Sequence, residues 1–198
     1  MTYPSEHFDA QLCALRDAGY RTDFLRTGRT PGPRTVHLAF DDGTLGLWTH
    51  ADPVLARYEM KAAAYLITGQ VGTHRPYCLS WPEVERMARP GRWDFQAHTH
   101  LSHERAAVDA AGHERSVLTN RLWLADEGRV ETSDECRCRV AADLDRSVRD
   151  LVRHALPRLR LFAYHAHQRR GASAAGRAAC GRPCATTGRS GSGPASPR

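Results

Sequence analysis

Apolar positions follow two rhythms along this 198-residue chain. Phe8, Leu12, Leu15 and Ala18 recur at helical spacing, with Ser5 and Glu6 suited to a helix start and Gly19 to its end, so a helix is predicted over residues 5–18. After the Gly- and Pro-rich loop Arg29–Arg34, the run Thr35-Val36-His37-Leu38-Ala39-Phe40 has β character and predicts a buried strand. Asp52–Tyr58 predicts a helix, Ala62–Thr68 a second strand, and Trp81–Ala88 a helix with Ser80 as N-cap and Pro82 in its first turn. Trp93–Ala97 predicts the third strand. From Ser133 onward a helix starter is followed by Val140, Leu144, Val148, Leu151 and Val152, an amphipathic pattern with a charged outer face, and Leu159–Tyr164 then predicts a fourth strand. Strands alternating with helices imply parallel pairing and right-handed crossovers, hence an α/β class, open or barrel-like.

Two segments break the rhythm. Between His103 and Glu131 lies a long insertion with Gly112, Gly128 and an apolar patch at Leu122, Trp123 and Leu124. An insertion of that length is expected to be functional or disordered. Beyond Tyr164 the chain has no Leu, Ile, Val, Met, Phe, Tyr or Trp, and so nothing to bury against the entropy of ordering its backbone. The expected organisation is therefore one incomplete α/β domain over residues 1–164 and a disordered Arg-, Gly-, Ala- and Ser-rich tail over 165–198. The break falls directly after a predicted strand, which fits a shifted reading frame in GC-rich DNA.

Charge changes the picture only by its location. The formal net charge is +6, yet residues 1–164 carry 22 basic and 22 acidic side chains, and the last 34 residues add six Arg and no acid. A neutral body with a basic tail argues against a phosphate-tracking surface, so no nucleic-acid partner is expected. Cys13, Cys78, Cys136, Cys138, Cys180 and Cys184 show no Cys-x-x-Cys pairing, which predicts scattered thiols rather than a zinc module or a disulfide framework. No apolar run approaches the ~20 residues that span a bilayer, and the N-terminus lacks a basic start followed by an apolar core. A cytoplasmic chain without a membrane span is expected as written.

The candidate chemistry sits at strand ends. Asp41 and Asp42 follow the first strand, and because side chains alternate along a strand the two carboxylates point in different directions, with Gly43 easing the turn. One can bind a metal while its neighbour transfers a proton. The carboxyl ends of parallel strands form the reactive face of such folds, and His98 and His103 follow the third strand on that same face. An Asp and two His suffice for a catalytic metal with one position open to water. Asp-Asp-Gly is also a common turn and His98, His100 and His103 could form a solvated loop; the order strand, Asp-Asp-Gly, strand, His-Thr-x-x-x-His favours the metal site.

Leu38-Ala39-Phe40-Asp41-Asp42-Gly43 resembles the first motif of the polysaccharide deacetylases (the NodB homology domain, carbohydrate esterase family 4), and His98-Thr99-His100-Leu101-Ser102-His103 resembles the second. The histidine spacing, one residue wider than the commoner form, is similar to the branch that deacetylates poly-β-1,6-N-acetylglucosamine, as are Ala62–Thr68 and Trp93-Asp94-Phe95-Gln96. The resemblance covers roughly residues 5 to 164. It implies a partial, distorted (β/α) barrel and removal of N-acetyl groups from an N-acetylglucosamine-containing polysaccharide, in a family whose members commonly act at the cell envelope or outside the cell. It further implies Asp41 as general base, Asp42, His98 and His103 as ligands of a divalent metal, zinc before cobalt or nickel, and His100 as substitute ligand in a shifted register. Substrate-binding residues are not indicated.

The pattern also departs from the family. His165-Ala166-His167-Gln168 stands where a Pro-aromatic-Gly loop is expected after Phe162-Ala163-Tyr164, and the later Asp-bearing and Leu-x-His motifs are not found. A catalytically impaired remnant that binds metal or carbohydrate without turnover is therefore the alternative to an active deacetylase. A zinc-containing nucleic-acid module, built on the Cys and His residues and the basic tail, is disfavoured by the missing Cys pairing.

Overall fold

The computed structural model describes residues 5–25, 30–156 and 161–164. In chain order the elements are helix α1 (Ser5–Asp17), strands β1 (Arg21–Thr22), β2 (Thr35–Val36) and β3 (Ala39–Phe40), helix α2 (Asp52–Arg57), β4 (Ala62–Leu66), α3 (Trp81–Ala88), β5 (Trp93–Ala97), the short strands β6 (Arg105–Ala107), β7 (Glu114–Ser116), β8 (Trp123–Leu124) and β9 (Arg129–Val130), and helix α4 (Ser133–Arg153). A π-helical turn, Leu47–Ala51, leads into α2, whose Pro53 lies in the first turn where its missing N–H costs nothing.

The sheet is parallel and ordered β3-β4-β5, with Phe40 opposite Ala64 and Leu66 opposite Ala97. A parallel bridge from Ala97 to Phe162 puts the next strand position on the far edge of β5. Neighbours thus follow chain order without reversal, the arrangement of a barrel wall rather than of a doubly wound sheet. Every residue of β4 is buried, as expected for a central parallel strand covered on both faces. On one face Ala62, Ala64, Leu66, Trp93, Phe95 and Ala97 join Leu12, Leu55, Val84, Met87 and Leu151 in the core. Each such large side chain, once buried, contributes about 1.5–3 kcal/mol. The other face mixes Ala63 and Tyr65 of β4 with the polar Asp94 and Gln96 of β5. Gln96, fully buried, donates to Asp94 at 2.8 Å and accepts the Leu161 N–H at 3.0 Å, tying the 161–164 segment to β5.

Several expectations are realised locally. Helix α3 begins at a capping box in which Ser80 and Glu83 satisfy each other's backbone N–H groups. Others need correction. The run Thr35–Phe40 is not one strand: Thr35 pairs with Arg21 in β1, whereas Ala39 and Phe40 pair with β4, so the chain changes partner at His37 and Leu38. His37 donates from Nδ1 to the Asp23 carbonyl at 3.2 Å, and the Leu38 carbonyl already accepts from Ala63. The insertion after His103 is two antiparallel hairpins, β6–β7 and β8–β9. The second is fastened to α4 by Glu131, whose carboxylate is 5% exposed and takes Arg139 Nε at 2.7 Å. Thr132, rather than Ser133, caps α4, again through a capping box with Glu135. Of the apolar stripe predicted for α4, Leu151 is buried and Val152 is 56% exposed, while Ser147 and Asp150 are buried instead. In the predicted fourth strand, Leu159 and Arg160 lie outside the described residues, as does the tail from 165 on. No helix among the described residues is long and apolar enough to cross a membrane.

Candidate metal centre

Three loops meet at the carboxyl ends of β3, β4 and β5. After β3 the chain turns at Asp42 and Gly43, with φ of 70° and 72°, and the Gly43 N–H closes on the Asp41 carbonyl at 2.9 Å. The Gly43 carbonyl in turn accepts from Leu79 at 3.0 Å, pinning the turn to the loop before α3. A Cβ on Gly43 would lie 2.6 Å from Leu66 Cδ2 in a conformation that L side chains rarely adopt. Gly43→Ala should therefore lower stability by roughly 1–3 kcal/mol and weaken metal uptake, because Asp42 immediately precedes it; denaturant unfolding with wild-type behaviour would show that the turn has no such constraint.

His98 continues the inward-facing set Asp94, Gln96 of β5, and its N–H bonds to the Leu66 carbonyl at 2.8 Å. The ring is almost wholly buried, and Nδ1 lies 2.7 Å from the Ala163 carbonyl. A carbonyl can only accept, so Nδ1 carries the proton and Nε2 keeps its lone pair. That Nε2 atom is buried, has no hydrogen-bond partner, and lies 3.7 Å from Asp42 Oδ1. His103 Nε2 lies 3.4 Å from the same oxygen, with the two imidazole centroids 4.9 Å apart. Ligand atoms of Asp42, His98 and His103 all fall within 4.8 Å of one another, the group among the described residues that could hold a metal ion. A buried imidazole lone pair aimed at a carboxylate, with its other nitrogen locked on a carbonyl, fits a cation between them better than a salvaged hydrogen bond.

Asp41 does not enter this group. Its charge, after burial and Asp94, adds to the forces that push the Tyr65 hydroxyl above its ordinary range. His100 is also excluded: its Nδ1 lies 3.0 Å from Asp150 Oδ2 and 3.0 Å from Thr68 Oγ1. The loop thus brings His103, and not His100, to His98 and Asp42. Burial, followed by the Asp42 charge, raises the Cys78 thiol and so disfavours its thiolate. Among the described residues, Cys13, Cys78, Cys136 and Cys138 form no disulfide. Sequence reasoning missed the supports of this loop. Gly69 passes so close that an added Cβ would lie 2.8 Å from the His100 carbonyl, and Asp143 and Asp150 reach the loop from α4. The latter carry one faint signal, their spacing with Ser147 at i, i+4, i+7 on one helix face.

Residues 28–178 match the family model described as polysaccharide deacetylase. The chain is 33% identical over 98 residues to the poly-beta-1,6-N-acetyl-D-glucosamine N-deacetylase of Staphylococcus aureus strain MRSA252, covering 48% of this chain and 32% of that protein. It is 28% identical over 153 residues to the protein of the same name from Escherichia coli K12, covering 67% of this chain and 23% of that one. The chain thus spans about a third or less of the length of these curated relatives. In three dimensions it is similar to the deacetylase domain of BpsB from Bordetella bronchiseptica, with a TM-score of 0.71 at 23% identity, covering 78% of this chain and 67% of that domain.

Proposed function

Because the chain belongs to the polysaccharide deacetylase family, we propose that it is a metal-dependent hydrolase removing N-acetyl groups from an N-acetylglucosamine-containing polysaccharide. The observation that carries this reading is the buried, unpartnered Nε2 of His98 facing the Asp42 carboxylate. Asp42, His98 and His103 would hold the ion; one carboxylate and two imidazoles are a ligand set for zinc, with cobalt and nickel as substitutes. When bound, the ion supplies polarisation of the acetamide carbonyl and a lowered pKa for the attacking water. Asp41, exposed beside the group, takes the proton as the water oxygen bonds to the carbonyl carbon. As the C–N bond breaks, that proton is available to the departing nitrogen, leaving acetate and a free amine. The curated relatives, named for poly-β-1,6-linked N-acetylglucosamine, support a polymer of that linkage as substrate.

Acetate release from a β-1,6-linked N-acetylglucosamine oligomer tests the proposal. Release is expected from protein reconstituted with zinc, cobalt or nickel, and not from chelator-stripped protein. Uptake of metal without turnover in any of the three would replace it with the reading of an impaired remnant.

A further inference from the structure

Two of the three candidate ligands flank a loop, and a loop keeps a geometry only when its surroundings fix it. Between His98 and His103, three successive backbone N–H groups converge on one side chain. His100 N donates to Asp143 Oδ2 at 2.9 Å, and Leu101 N and Ser102 N donate to Asp143 Oδ1 at 2.8 and 3.0 Å. Asp143 lies on α4, some forty residues along the chain and outside the metal group itself. Two helical turns further on, Asp150 receives the His100 ring and Thr68 Oγ1, the latter at 3.3 Å, and is paired in turn with Arg146 at 3.2 Å. Ser147, between the two acids, is fully buried, so this face of α4 lies against the protein with no large side chain between.

The loop needs such support. Thr99, next to His98, has φ of 86°, an outlier for a β-branched residue, and persists only where neighbours over-determine it. Its carbonyl and that of His100 are fixed by Thr68 N–H and Gly69 N–H at 3.1 and 3.0 Å. The carbonyl side of the loop is thus tied to the β4 side, and the N–H side to α4. Three donors on one carboxylate form charge-assisted bonds in a local anion nest, stronger than neutral ones.

We infer that Asp143 is a positioning residue of the metal centre: by gathering the His100, Leu101 and Ser102 N–H groups it sets the distance and orientation between His98 and His103. The inference rests on the metal-hydrolase reading above. It extends the site to α4, a helix whose acids belong by sequence to a solvated face.

The experiment compares wild type, Asp143→Asn, Asp143→Ala and, as control, Asp145→Ala on the exposed face of α4, each metal-stripped and titrated with zinc by calorimetry and with cobalt by visible absorption. Asparagine keeps the oxygen that serves Leu101 and Ser102 but offers no acceptor to His100, so an affinity loss of about 10-fold is expected; alanine removes all three bonds and should lose about 100-fold, the range in which outer supports of metal sites act. The cobalt band should shift in both variants while the metal-free melting temperature of Asp143→Asn stays near that of wild type, and Asp145→Ala should match wild type throughout. Should the alanine variant fail to fold, the asparagine variant decides alone. Wild-type metal affinity and cobalt spectrum in a folded Asp143 variant would overturn the inference and leave the hydrolase reading standing. No uptake by wild type is a different failure, which removes the hydrolase reading and the inference together.

Discussion

Asp41→Asn should reduce acetate release by about 100- to 10,000-fold, the usual contribution of a positioned general base, while metal uptake stays at the wild-type level. The separation follows from the geometry at the end of β3. Asp42 turns toward the two histidines, whereas the Asp41 carboxylate lies outside the group and is exposed. An exposed acid replaced by its isosteric amide changes stability by no more than about 0.5 kcal/mol. A lost rate can then be assigned to the missing proton acceptor rather than to unfolding. Paired measurements of acetate and of bound zinc check this; an Asp41→Asn protein that turns over at more than a tenth of the wild-type rate, or that no longer takes up zinc, would falsify the division of labour.

The second large effect is expected from His98→Ala. Changing groups that only orient a ligand costs about 10- to 100-fold in metal affinity, and His98 is itself a proposed ligand, so its loss should exceed that range. The same substitution breaks the bond to the Ala163 carbonyl and empties a buried position. Zinc at about a hundred times its dissociation constant should stabilise wild type by roughly 2.7 kcal/mol, a rise in melting temperature of about 5–10 °C for a domain of this size, and His98→Ala should show none. His103→Ala offers the contrast, because its side chain is 20% exposed where that of His98 is 2% exposed. It should abolish the zinc-dependent rise with a smaller fall in metal-free stability. Equal zinc-induced shifts in wild type and His98→Ala would mean that the ion binds elsewhere.

What could be read directly from the chain is what short-range chemistry determines. Ser80-Trp81-Pro82-Glu83 encodes the start of α3 within four residues, and the uninterrupted apolar run of β4 encodes a strand covered on both faces. The Asp-Asp-Gly turn and the paired histidines were visible for the same reason: each follows a strand whose end on the reactive face can be inferred from alternation with helices. The rest depends on partners distant in sequence. Within Thr35–Phe40 the pairing passes from β1 to β4 at His37 and Leu38, and a single polar residue in a β-rich run does not by itself distinguish a change of partner from a continuous strand. Strands β6 to β9, two or three residues each, are too short for a periodic signal. Asp143 and Asp150 look like members of a solvated helix face, and only the arrival of the 98–103 loop turns them inward. The support that fixes the His98 tautomer is a backbone carbonyl, which every residue possesses and no side chain announces.

That carbonyl gives the sheet edge a part in ligand binding. Ala163 adjoins Phe162, which pairs with Ala97, and lies two residues beyond Leu161, which rests on buried Gln96. The bond it accepts from Nδ1 is strongest when Nε2 gives up electron density to a cation. By reciprocity, whatever favours docking of the 161–164 segment must favour the cation to the same degree, and the cation must favour docking. With a cation in the proposed centre, its occupation and closure of that edge would be two readings of one equilibrium, and a change that loosens residues 161–164 would be felt at the ion without touching a single proposed ligand.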